Sequence, residues 1–240
     1  MASVGDLAAL GQMTPHEVIA QALKEALPYI ESLRGHVLVI KLGGSALEGQ
    51  RDALEDIVWL RSLGARPVLV HGGGPEINAW LARLGIPQRF ARGLRVTDAE
   101  TLDVVRMALA GKVNGELTQL LTRLGGQAVG VTGMDGGLLR ARRVSPDLGY
   151  VGEVASVDPG VVETLSEAGY IPVVAPLALG PDGEALNVNA DDAAADLARG
   201  LRAAKLLYIS DVPGILDRAG KLLSVLTAAD VRRLIADGVI

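Results

Sequence analysis

Five short apolar runs set the terms for any fold of this chain: HVLVIK at 36–41, PVLV at 67–70, AVGV at 128–131, IPVV at 171–174 and LLYI at 206–209. Runs of this length and composition read as buried strands, and the stretches between them carry apolar residues at helical spacing. Strands that alternate with helices imply a mainly parallel sheet covered on both faces, an α/β architecture, since each parallel connection has to cross over the sheet. Ligands on such sheets bind beyond the carboxyl ends of the strands. Two of these ends run directly into glycine.

The second run stops at His71 and gives way to Gly72, Gly73 and Gly74. Pro75 follows where a helix begins, its missing N–H costing nothing in the first turn, and INAWLARL continues with helical spacing. Such a junction offers bare backbone N–H groups and the positive end of a helix dipole, which suits an anion. A tight turn needing positive φ is the competing reading for any one of these glycines. The first run ends similarly, in Lys41-Leu42-Gly43-Gly44-Ser45, ahead of a helix around DALEDIVWLRSLG.

The remaining chain orders itself around this frame. Residues 1–13 show no period, and Thr14-Pro15-His16-Glu17 reads as the cap of a helix reaching Gly35, broken near Leu27 by Pro28. Arg89, Arg92 and Arg95 share one loop, and Thr97-Asp98-Ala99-Glu100 reads as a capping box for a long helix, TLDVVRMALAGKVNGELTQLLTRLG. LLRARRV and YVGEVASV read as an antiparallel ribbon, and Asp158-Pro159 opens a helix. GPDGEALNVNADDAAADLARGL reads as a polar loop with a helical, alanine-rich half. Asp211–Asp217, a short hairpin and a last helix from Thr227 complete the chain.

Composition removes several kinds of chemistry. With 240 residues, 49% hydrophobic, the chain can bury one substantial α/β domain or two closely packed lobes. A net charge of −5 and the lack of any lysine or arginine run give no support to a nucleic-acid face. There is no cysteine, so thiolate catalysis and disulfides are excluded, and imidazole chemistry rests on His16, His36 and His71. Apolar runs are too short to span a membrane, and MASVGDLAALGQM lacks a basic leader, which points to a soluble, cytoplasmic protein.

His71-Gly72-Gly73-Gly74 resembles the oxyanion-hole loop of an α/β-hydrolase, but no G-x-S-x-G elbow exists and no histidine follows residue 71. Walker and dinucleotide loops are absent as well. What remains is Lys41 at a strand end beside glycines, a second glycine cradle, Arg95 and an Asn/Asp cluster. Lysine pairs with phosphate as a point charge, and arginine forks onto carboxylates. Phosphoryl transfer asks for little beyond charge neutralisation and alignment. Blander readings stand beside these: Lys41 as a solvated strand end, Arg95 as a loop charge, Asn187 and Asn189 as turn residues, and Asp191 as the cap of the next helix.

Taken in order, Lys41-Leu42-Gly43-Gly44, HGGGPEIN, RGLRVTDAE, ALAGKVN, LNVNADDAA and SDVPGILD resemble the signatures of the amino acid kinase family, in particular its acetylglutamate kinases. The resemblance implies an open three-layer αβα sandwich around a mainly parallel sheet. It implies an N-terminal extension helix over 1–35, an amino-acid-binding lobe over 36–180 and a nucleotide-binding lobe over 181–240. The implied reaction is phosphorylation of the γ-carboxylate of N-acetyl-L-glutamate by ATP with Mg2+, in arginine biosynthesis. Lys41 would act on the transferring phosphoryl group, Asp191 would hold that lysine, and Gly44, Gly73 and Gly74 would donate backbone N–H bonds. Arg95 and Asn187, with Asn189 beside them, would bind the amino acid, and Asp211, Val212, Pro213, Gly214, Ile215 and Leu216 would border the nucleotide; no protein metal ligand is implied.

Two departures accompany the resemblance. The sequence ends at Asp237-Gly238-Val239-Ile240, before a loop that carries a second lysine in the family, so weak turnover with better-preserved acetylglutamate binding is expected. The N-terminal stretch with Tyr29 resembles the kinked helix of arginine-inhibited hexameric members, which implies a homo-oligomer, dimer or hexamer, with L-arginine as feedback inhibitor. An acetylated or carrier-linked aminoadipate kinase, and a binding module that cannot transfer phosphate, are the alternatives.

Overall fold

The computed structural model describes residues 14–43 and 51–239. Expectations for residues 1–13 and for Gly44 and Ser45 fall outside that range. A helix, α1 (Pro15–Leu33), precedes β1 (Val37–Leu42); α2 (Arg51–Ser62), β2 (Arg66–His71) and α3 (Gly74–Leu84) follow. A small hairpin, β3 (Phe90–Ala91) and β4 (Leu94–Arg95), leads to α4 (Ala99–Arg106), which passes through a π-helical segment, Met107–Val113, into α5 (Asn114–Arg123). Next come β5 (Ala128–Thr132), β6 (Leu139–Arg143), β7 (Val151–Val157), α6 (Gly160–Glu167) and β8 (Ile171–Ala175). β9 (Leu177–Leu179), β10 (Ala185–Val188), α7 (Ala190–Gly200), β11 (Lys205–Ile209) and α8 (Ala228–Ala236) end the chain.

The five apolar runs form one sheet, in the order β11-β1-β2-β8-β5, with β1·β2, β2·β8 and β8·β5 parallel. Register places Lys41 opposite Val70 and Leu42 opposite His71, so the lysine lies level with the glycine turn. Alternate side chains of these strands enter opposite layers. Val39, Val68, Val70 and Val174 pack with Val162 of α6 and Ala193, Ala194 and Leu197 of α7, while α2 and α5 touch each other and pack on β2 and β5. The result is the three-layer sandwich expected from the alternation.

Beside the main sheet, β10, β7, β6 and β9 close on themselves. The β6·β7 pair is the expected antiparallel ribbon. β10 is a correction: Ala185–Val188 is a strand within what reads as polar loop, because Leu186 and Val188 alternate into the core while Asn187 faces the other way. The chain divides into two compact units, Met1–Tyr208 and Ile209–Ile240, so the structural division falls within β11.

Three helix expectations also change. α1 carries the Thr14–Glu17 capping box but runs unbroken through Pro28; the ladder bond that proline removes lies on a helix with no buried residue, where water can satisfy the freed carbonyl. Asp98, not Thr97, caps α4, its carboxylate accepting the N–H of Thr101 at 2.9 Å, while Thr97 turns inward and is fully buried. The long helix is interrupted by its π segment, a geometry concentrated at functional sites.

Asn114 follows that segment and explains one glycine. A Cβ on Gly130 would lie 1.9 Å from Asn114 Oδ1, so β5 must be bare where the amide crosses it. Gly130→Ala is expected to lower unfolding free energy by about 3 kcal/mol, combining overpacking with loss of buried hydrogen bonds. Urea denaturation measures it, and a loss below about 0.5 kcal/mol would mean the amide moves aside freely.

Candidate active site

A cleft of about 220 Å3 gathers Gly73, Gly74, Arg95, Asn187, Asn189 and Asp191 from the residues singled out in the sequence, while Lys41 is outside its lining and meets it through Asp191. Its lining takes Gly72, Gly73 and Gly74 from the β2–α3 turn, Gly93, Leu94 and Arg95 from the hairpin, and Leu109 from the π segment. Asn187, Val188, Asn189, Ala190 and Asp191 come from β10 and the start of α7. These elements meet because β2 ends in the turn while β10 and α7 come across it from the smaller sheet.

Space, not torsion, favours glycine at position 73: its φ is 179°, which any residue adopts, but a Cβ would lie 2.4 Å from Leu109 Cδ2, so the end of that buried side chain would have to shift. At Gly72 and Gly74 a Cβ would meet nothing within 4 Å. The first bond of α3 runs from the Ile77 N–H to the Gly73 carbonyl at 2.9 Å. The N–H groups of Gly73 and Gly74 precede any intrahelical acceptor and sit at the positive end of α3.

Lys41 leaves β1 with its side chain largely buried, 14% exposed, and its Nζ lies 2.9 Å from Asp191 Oδ1. Asn189, rather than Asp191, caps α7: its Oδ1 accepts the N–H groups of Asp191 and Asp192 at 2.7 and 3.3 Å. Asp191 is therefore held at the helix start by its backbone while its carboxylate engages the lysine. The Tyr208 hydroxyl donates to the Asp191 carbonyl at 3.2 Å.

Arg95 is wedged. Its guanidinium carbon lies 4.7 Å from the centre of the Phe90 ring, and Nη2 donates to Asn78 Oδ1 at 2.6 Å. Nη1 is buried and has no hydrogen-bond partner. Burial pushes the guanidinium below its ordinary pKa, yet arginine stays charged at any working pH. A cation with one unused prong is an incomplete carboxylate site. Asn187 joins it indirectly, its Nδ2 donating to Thr97 Oγ1 at 3.2 Å, which donates to the Arg95 carbonyl at 2.8 Å.

Asn78, Thr97 and Leu109 are the site residues that sequence reasoning missed. Asn78 closes HGGGPEIN, one helical turn beyond Gly74, and that spacing was the available signal.

His71 is buried and plays no part in the lining. Burial lowers its pKa to about 4, against a smaller opposing effect of its contact with the Gly72 carbonyl. The folded protein thus refuses a proton that the unfolded chain accepts near pH 6.5, so stability is full above that pH and falls as pH drops from 6.5 to 4. Urea unfolding is expected to lose about 3 kcal/mol from this group between pH 7.5 and 4, and a His71→Asn chain should lose correspondingly less. Identical pH slopes in the two chains would contradict it.

In the second unit, Asp211–Leu216 forms an exposed turn. Val212 and Ile215 are exposed, Leu216 bridges to Leu222, and Gly214 adopts φ 135°, with a Cβ site 2.9 Å from Leu222 Cδ1. Among the described residues no group of three or more His, Cys, Asp or Glu is arranged to hold a metal ion.

Among the described residues the cleft collects fixed positive charge and backbone donors but no nucleophile beside a base, which is the equipment of phosphoryl transfer. Residues 36–240 match the model of the Amino acid kinase family, and the chain belongs to that family. It is 50% identical over 228 residues to an acetylglutamate kinase from a Synechococcus strain, covering 92% of this chain and 73% of that protein. An acetylglutamate kinase from Gloeobacter violaceus is 47% identical, covering 92% and 76%. Among solved structures, a protein of Streptococcus mutans UA159 superposes with a TM-score of 0.77 at 32% identity, covering 85% of this chain and 84% of that one. N-acetylglutamate synthase from Neisseria gonorrhoeae, solved with coenzyme A and N-acetyl-glutamate, gives 0.78 at 29% identity, covering 90% and 51%.

Proposed function

We infer that the protein transfers the terminal phosphoryl group of ATP to the side-chain carboxylate of N-acetyl-L-glutamate, giving N-acetylglutamyl 5-phosphate for arginine biosynthesis. The observation that carries this reading is the pairing, in one cleft, of a buried guanidinium prong without a partner and a glycine turn at a helix N-terminus. An amino acid derivative with two carboxylates suits both: one anchors on Arg95, and the other lies near the glycine donors as the acceptor. Similarity to acetylglutamate kinases supports the choice of substrate.

The chemistry needs no protein base. An ionised carboxylate oxygen attacks the γ-phosphorus, the bond to the ADP oxygen breaks in line, and no proton moves. Lys41, oriented by Asp191, neutralises charge on the transferring group, and the Gly73 and Gly74 N–H groups donate to its oxygens. Arg95 and the Asn187–Thr97 pair hold the amino acid end, and Asn189 keeps the Asp191 turn in place. Asp211–Leu216 is the stretch that would meet the nucleotide, its exposed Val212 and Ile215 offering apolar surface to a base. Mg2+ would enter with ATP and spread the phosphate charge; Asp191 is the carboxylate in the cleft lining, and a magnesium ion held chiefly by phosphates needs no larger protein cage.

Specificity tests the reading: ADP release in a coupled assay should depend on N-acetyl-L-glutamate and be far slower with N-acetyl-aminoadipate. Equal rates would favour the aminoadipate alternative, and calorimetric binding of acetylglutamate without ATP turnover would favour a binding module.

Assembly is part of the same proposal. α1 leaves Ile19, Leu23 and Leu27 exposed at i,i+4 spacing, an apolar stripe that suits a second copy of the chain, and Tyr29 exposed on another face, with L-arginine as an inhibitor acting through that assembly. Deleting residues 1–34 should lower the mass seen by light scattering from hexamer to dimer; an unchanged mass would return the helix to its own core.

A further inference from the structure

The carbonyl of Gly72 and the N–H of Gly73 belong to one planar trans peptide, so they point in opposite directions. His71 Nδ1 lies 2.8 Å from that carbonyl, and the ring is buried. Held from the core side, the carbonyl leaves the Gly73 N–H facing outward, where Gly72, Gly73 and Gly74 line the cleft. The grip works only if Nδ1 carries the proton.

Asn114 decides that. Its Nδ2 lies 2.8 Å from the Val173 carbonyl and 3.3 Å from the Val131 carbonyl, contacts that only an amide N–H satisfies. The same nitrogen sits 3.1 Å from His71 Nε2; its two hydrogens serve three acceptors, so one is shared with the longer Val131 contact, and since an amide nitrogen cannot accept, Nε2 can only receive. Nε2 is therefore an acceptor, and a neutral ring must keep its proton on Nδ1. The Gly130 gap exists to admit this amide.

We propose that His71, with its tautomer set by Asn114, is a positioning residue that fixes the Gly72–Gly73 peptide and so turns the Gly73 N–H toward the transferring phosphoryl group. It acts through Gly73 and touches no substrate. The inference rests on the phosphotransfer reading of the glycine turn.

Nitrogen-15 NMR of the imidazoles reads the tautomer on the unaltered chain, with exposed His16 and His36 for comparison. His71 is expected as the neutral Nδ1–H form at pH 7, and the Nε2–H form would overturn the proposal outright. Two polar replacements supply the kinetics: His71→Asn leaves an amide nitrogen near the position of Nδ1, whereas His71→Gln reaches only toward Asn114 and leaves Gly72 unheld. The expected kcat is within about five-fold of wild type for His71→Asn and about 100-fold lower for His71→Gln, the size of one lost oxyanion donor. The Kd for acetylglutamate should stay within about three-fold in both, by calorimetry. Equal kcat losses, or losses that merely follow Tm, would overturn the proposal. Should His71→Gln not fold, a 100-fold loss in folded His71→Asn would do the same. A wild-type chain that carries the Nδ1–H form but shows no acetylglutamate-dependent turnover would instead overturn the phosphotransfer reading, and this role with it.

Discussion

Replacing Lys41 with alanine is expected to lower kcat by on the order of a thousand-fold while the Kd for acetylglutamate stays within a few-fold. The ammonium sits 2.9 Å from Asp191 on a largely buried stem, so it is fixed before substrate arrives and needs no reorganisation when charge develops on the phosphoryl oxygens. The α-carboxylate of the substrate is anchored on Arg95 and not on this ammonium, so ground-state binding loses little. Removal also leaves the Asp191 carboxylate unopposed in the cleft, adding repulsion toward an incoming phosphate. Steady-state kinetics and calorimetry separate the two effects: a raised KM with unchanged kcat would move Lys41 from transition-state stabilisation to simple binding.

Arg95→Lys should do the reverse, raising KM for acetylglutamate about 100-fold with kcat changed far less. Nη2 is committed to Asn78, and the bonding capacity of the buried Nη1 is unspent. A carboxylate that reaches Nη1 removes the cost of a buried, unsatisfied charged donor, on the order of 2–3 kcal/mol. Lysine offers one compact ammonium that cannot hold Asn78 and a carboxylate with the same planar fork, nor lie flat on Phe90. An unchanged KM in this variant would remove Arg95 from the amino acid site.

Much of this was legible in the sequence because it depends on local pattern. The three inner sheet strands, β1, β2 and β8, are continuous apolar runs buried on both faces, whereas the edge strands β5 and β11 carry the same kind of run but are only partly covered, Leu207 and Tyr208 being exposed. Lys41, Gly73, Gly74, Arg95 and Asp191 stand at ends of elements, where glycine and charge are conspicuous. What was missed depends on contacts between distant segments. β10 is four residues long and carries only two inward apolar side chains, too few to stand out from the polar residues around it. Thr97 reads as a cap from its neighbours; it is buried because β4 and β10 bring Arg95 and Asn187 against it. Asn114 lies within a helical pattern, and its bonds to His71, Val131 and Val173 exist only after β2, β5 and β8 have aligned. Pro28 shows the limit of a local rule: on an exposed helix one missing bond does not end the element.

An acyl phosphate is expected to form on the side-chain carboxylate of acetylglutamate. Incubating the protein with ATP, Mg2+ and N-acetyl-L-glutamate in the presence of hydroxylamine would trap that product as the hydroxamate. The expected result is hydroxamate formed in step with ADP, absent when acetylglutamate is omitted and lost in Lys41→Ala. ADP release without hydroxamate, or hydroxamate formation that persists in Lys41→Ala, would contradict it.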